Sequence, residues 1–107
     1  MDLNQFSRAL DCFAAHEPTH LYVHHIQLWM EVARRGRMSY REAAEALNIT
    51  PSSVSRLAQS LSDTHRHGHP GLGLLTIIQN DPEEGRRHLL MLSPKGEALK
   101  RQLANMQ

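Results

Sequence analysis

The sequence predicts a mainly helical α+β chain in the order α-α-α-α-β-β-α, and three observations predict it. Apolar residues recur at three- and four-residue spacing in five stretches, the mark of amphipathic helices. Two of those stretches lie within SYREAAEALNITPSSVSRLAQSL (39–61), parted only by the four residues NITP. Finally, LLTIIQ (74–79) and RHLLMLS (87–93) are apolar runs on either side of the turn sequence NDPEEGR, which reads as a β-hairpin.

The elements follow in order. Over 3–15, Leu3, Phe6, Leu10 and Phe13 share one helical face, and Glu17-Pro18-Thr19 ends the pattern. A longer helix is expected over about 20–35, with Tyr22, Ile26, Trp29, Met30 and Ala33 on one face. Leu21, Leu28 and Val32 fall elsewhere on the cylinder, so this helix should be buried on more than one side. Gly36 stops it after Arg34 and Arg35, cations placed where the helix dipole favours them.

Ser39 and Glu42 form a capping box that opens a short helix over 40–47, with Ala43, Ala44 and Leu47 inward. Asn48 tolerates the left-handed conformation that ends a helix. Thr50 then caps a new helix whose first residue, Pro51, has no amide to lose; this helix, about 51–63, should bury Val54, Leu57, Ala58 and Leu61. HRHGHPGLG (65–73) is loop by composition. After the hairpin, Ser93-Pro94 repeats the cap-and-proline signal and opens a last helix over about 94–105, with Ala98, Leu99, Leu103 and Met106 apolar.

Composition narrows the function classes. A chain of 107 residues suits one domain with one core, and 5% aromatics leave that core to aliphatic side chains. Net charge is only +1, but its distribution is uneven. Residues 1–30 carry Arg8 against Asp2, Asp11 and Glu17. Residues 31–69 carry Arg34, Arg35, Arg37, Arg41, Arg56 and Arg66 against Glu31, Glu42, Glu45 and Asp63. Cys12 is the one cysteine, so no internal disulfide can form and a reducing compartment is expected. Neither a secretory leader nor an apolar run of about eighteen residues is legible, so a cytoplasmic protein without membrane contact is expected.

Two helices joined by a tight turn and followed by a hairpin make a winged helix-turn-helix, with the wing at 74–93. The helix from Pro51 then has a DNA-reading chemistry at its front. A recognition helix enters the major groove by its N-terminal part, where free amides also favour phosphate. Ser52, Ser53 and Ser55 are small enough for close approach, while Arg56 suits guanine and Gln59 suits adenine. Thr50, Arg37, Ser39 and Tyr40 flank this front as phosphate contacts. Arg86 and Arg87 at the hairpin tip are placed for backbone or an adjacent minor groove.

These residues carry a family resemblance. EAAEALNITPSSVSRLAQSL followed by NDPEEGRRHLLMLSPKGEAL resembles the winged helix-turn-helix of MarR-type transcriptional regulators, the multiple-antibiotic-resistance regulator family, over about 37–103. The matching features are acidic-x-Ala before the turn, Pro at the start of the recognition helix, and Val-Ser-Arg within it. An Asp-Pro-acidic wing tip with Arg and a Leu-Ser-x-Lys-Gly entry to the last helix complete the pattern. The resemblance implies a homodimer on a pseudo-palindromic duplex, with Arg86 in the minor groove braced by Asp81. It differs at Ala43, usually a larger aliphatic, at Asn48, commonly Gly, and in the long loop HRHGHPGLG. The chain also stops soon after Leu103, where members of that family continue into long helices that dimerise and help form an effector pocket. A truncated member is expected, dimerising through 3–15 and 94–106, with no small-molecule effector or cofactor implied.

Other readings are weaker. His65-x-His67-x-His69 sits in a Gly/Pro loop without a scaffold, and His20 and His24 are one turn apart with no thiolate cluster, so no metal site is expected. His24 or His25 reads as packing at the dimer seam, and the loop histidines as solvated. Cys12 resembles the reactive thiol of peroxide-sensing regulators of the same family, yet beside Phe13 it suits a buried core position. No phosphate loop, nucleophile elbow or carboxylate pair points to an enzyme. The competing class is a winged-helix adaptor that docks a protein, as in a plasmid or phage replication or partition complex.

Overall fold

The computed structural model describes residues 2–15, 22–62, 72–78 and 89–105. Within them the chain forms α1 (Leu3–Ala14), α2 (Val23–Arg35), β1 (Arg37–Ser39), α3 (Tyr40–Leu47), α4 (Pro51–Leu61), β2 (Leu75–Ile78), β3 (Leu89–Leu92) and α5 (Pro94–Ala104). Helix starts are set by local chemistry. Asp2 caps α1, accepting the Gln5 amide at 2.7 Å, while Gln5 returns a bond to the Asp2 amide at 3.1 Å. Ser39 and Glu42 form the expected reciprocal pair: the Glu42 amide donates to Ser39 Oγ at 3.1 Å, and the Ser39 amide to Glu42 Oε1 at 2.9 Å. Ser93 caps α5 through the Gly96 amide at 3.0 Å. Asn48 ends α3 in the left-handed conformation, φ 56° and ψ 48°.

The sheet has the strand order β1-β3-β2, all antiparallel. The hairpin was expected; β1 was not. Arg-Met-Ser is too short and too polar to show an alternating pattern, and it becomes a strand only because β3 offers a free edge. Leu90 lies at the centre of the sheet, opposite Met38 on one side and Ile77 on the other. Met38 and Leu90 are fully buried, and Thr76 faces solvent.

One hydrophobic cluster joins the elements, with α2 at its middle: Leu28, Trp29 and Val32 are buried, together with Met38, Ala43, Val54, Ala58, Leu61, Leu74, Leu75, Leu90 and Leu99. Each fully buried Leu contributes about 1.5–3 kcal/mol relative to an exposed one. Phe13 from α1 meets Trp29 edge to face, centroids 5.2 Å apart. The face expected for α2 needs correction. Tyr22 and Met30, expected on the apolar face, are exposed, while Leu28 and Val32 are buried, as expected of a helix covered on more than one side. The helix is sandwiched between α3, α4 and the sheet, which rotates its apolar sector away from Tyr22 and Met30. It also starts at Val23, and α4 ends at Leu61, each a little inside the expected range.

Candidate nucleic-acid interface

Helix α4 presents two opposite faces. At about 100° per residue, Ser52, Ser55, Arg56 and Gln59 fall within one sector of about 100°. Val54, Ala58 and Leu61 lie across the helix from them and are buried. Packing of α4 against α2 and α3 therefore dictates which side faces outward. Ser52 and Arg56 are exposed, and Ser53, Ser55 and Gln59 are partly buried.

A hydroxyl cluster stands at the head of α4. Thr50 Oγ1 accepts the Ser53 amide at 3.2 Å and donates to Ser53 Oγ at 2.9 Å, with Ser52 Oγ 3.2 Å away. The cap uses one of the helix's unpaired amides and orients three hydroxyls around the remainder. On α2, Arg34 and Arg35 are held by Glu31, and on α3 Arg41 pairs with Glu45 at 3.7 Å. Among the described residues, Arg37 and Arg56 make no ion pair, so both cations face outward uncompensated. Tyr40 is half-buried at the start of α3, and burial raises its hydroxyl above the usual pKa.

Not every expected contact residue reaches this surface equally. Ser39 is only 2% exposed and its hydroxyl serves the cap of α3, so it belongs to the scaffold and not to the outer surface. Gln59 lies in the right sector, but its Oε1 is buried without a hydrogen-bond partner. Arg86, Arg87 and Asp81 lie outside the described residues, as do His16, His20 and the loop histidines; the strands that carry the tip are in place. His25 is buried within its own chain, where its Nδ1 accepts the Tyr22 amide at 3.0 Å and its ring stacks on Tyr22. Cys12 is partly buried against the core. Among the described residues no three His, Cys, Asp or Glu side chains converge as a metal site, and no helix is long and apolar enough to cross a membrane.

Sequence reasoning missed the segment 72–74, which holds the far end of α4. The amides of Leu72, Leu74 and Gly73 donate to the carbonyls of Ser60, Leu61 and Ser62 at 3.0, 2.7 and 3.0 Å. With Ser62 Oγ donating to the Gln59 carbonyl at 2.9 Å, the closing turn of the helix leaves no orphan acceptor. The three amide bonds of Leu72–Leu74 join residues more than ten apart, which no local pattern reveals.

No protein-family model and no curated protein matches the chain. Solved structures do. RV1404 from Mycobacterium tuberculosis superposes with a TM-score of 0.70 at 15% identity, over 96% of this chain and 64% of that one. YusO from Bacillus subtilis gives 0.66 at 16% identity, over 94% and 63%. A mutant of MarR from E. coli, solved in complex with operator DNA, gives 0.64 at 13% identity, over 96% and 68%. The chain thus spans about two thirds of the length of these proteins. Among the described residues, five helices, a three-stranded sheet and the α3–α4 pair give this chain the winged helix-turn-helix fold seen in the E. coli MarR structure.

Proposed function

We propose that the protein binds double-stranded DNA sequence-specifically, as a cytoplasmic homodimer on a pseudo-palindromic site, and represses transcription by occluding a promoter. The observation that carries this reading is the outward face of α4, where a hydroxyl cluster and an unpaired Arg56 back onto a fully buried face. Ser52, Ser53, Ser55, Arg56 and Gln59 read base edges. Arg37, Tyr40 and Thr50, with Arg86 and Arg87 from the wing, hold the phosphate backbone or the flanking minor groove. The operator complex of the structurally similar E. coli MarR supports the assignment.

The homodimer rests on α1. Leu3, Phe6 and Leu10 are 86, 52 and 38% exposed along one face of a helix that packs on α5, an apolar stripe that a second copy would cover. Selection of genomic fragments by the purified protein tests the function. Recovery of a single inverted repeat is expected. Retention of no fragment contradicts the reading and favours a winged helix that docks a protein; retention of all fragments alike contradicts it and favours non-specific DNA binding.

A further inference from the structure

The three residues Leu72–Leu74 bond on both sides, and the two sides are different helices. Their amides all go to the C-terminal carbonyls of α4. Their carbonyls all go to the start of α5: Leu72 O accepts Lys95 Nζ at 2.9 Å, Gly73 O accepts Ser93 Oγ, and Leu74 O accepts the Ser93 amide at 3.4 Å. Gly73 makes this possible with φ +71°, a conformation that suits glycine. Gly96 closes the joint from the α5 side, since a Cβ there would stand 2.1 Å from the Leu74 oxygen. A single three-residue step of chain thus ties the end of α4 to the head of α5.

We infer that Ser93 and Lys95 are positioning residues for base readout: through Leu72–Leu74 they set the angle at which α4 meets DNA. The inference rests on the DNA-binding reading and adds its control. Helix α4 spans about 16 Å from clasp to hydroxyl cluster, so a tilt of about 5° at the clasp moves the reading end by about 1.4 Å. Base-edge hydrogen bonds do not survive such a shift, because their donors and acceptors must meet within a few tenths of an ångström; phosphate contacts through long side chains re-form. Since α1 packs on α5, whatever seats on the exposed face of α1 acts on the reading helix through the same joint.

Two variants separate the clasp from the fold. Lys95→Met removes one exposed donor. Ser93→Asp keeps an acceptor for the Gly96 amide, and hence the cap, but has no donor for the Gly73 carbonyl. Hydrogen exchange on the DNA-free protein should show the amides of Leu72–Leu74 opening about tenfold faster in both. Dissociation constants should show the preference for the selected duplex over a scrambled one falling about tenfold, with scrambled-duplex affinity within about twofold of the parent. Lys95→Arg restores both readouts. Unchanged exchange overturns the clasp; faster exchange with an undiminished preference overturns its positioning role. Arg56→Ala in the same series marks the loss expected from a direct contact. A parent protein with no preference for any duplex overturns the DNA reading itself, before a variant is made.

Discussion

At the scale of residues, α3, α4 and α5 start with hydroxyl caps, and the same chemistry recurs on the face of α4 proposed to read DNA. Ser39 and Thr50 are both N-caps, but Ser39 is buried and Thr50 is exposed among other hydroxyls. Ser39→Ala should therefore lower stability by about 0.5–2 kcal/mol, as lost caps do, with the binding preference of the folded protein unchanged; thermal melts and duplex titrations check the two halves. Gln59 is the opposite case. Its Oε1 is buried without a hydrogen-bond partner, which costs the fold. Gln59→Met should raise stability by about 1 kcal/mol in a denaturant melt and lower discrimination at one base pair of the site. Loss of stability instead would show that the amide is already satisfied. The caps were legible in the sequence because each is decided within four residues. The burial of Ser39 and of the Gln59 oxygen was not, since it depends on what packs from elsewhere.

At the scale of elements, the hairpin and every helix were foreseeable from periodicity and punctuation, and what escaped depends on pairing at a distance. β1 exists because β3 has an edge to offer. The exposed side of α2 follows from neighbours on three sides, and the bridge over Leu72–Leu74 joins partners about twenty residues apart. Gly96 is where the elements come closest. The would-be Cβ of Gly96→Ala meets the Leu74 backbone oxygen at 2.1 Å, so α5 must move off the sheet or the chain at Leu74 must shift. We expect a loss of about 1–3 kcal/mol in denaturant unfolding, the range for overpacking a close contact. A neutral Gly96→Ala variant would show that α5 is not held against Leu74.

For the whole molecule, polar and apolar surfaces are carried by different helices. The hydroxyl and arginine face belongs to α4, and the bare apolar stripe to α1. If the stripe is the seam between two copies, Phe6→Glu should give a folded monomer in sedimentation at concentrations where the parent is a dimer. It should also bind a full inverted repeat far more weakly while keeping its weak hold on a half-site. A parent that sediments as a monomer at all concentrations contradicts the dimer. Sequence-specific binding requires that α4 read bases. The most direct measurement compares Arg56→Ala with the parent on the selected duplex and on a scrambled duplex at the same salt. A loss of about 1–3 kcal/mol confined largely to the selected duplex is the result this account predicts. An equal loss on both duplexes would reduce Arg56 to one more phosphate contact and leave α4 without its reading role.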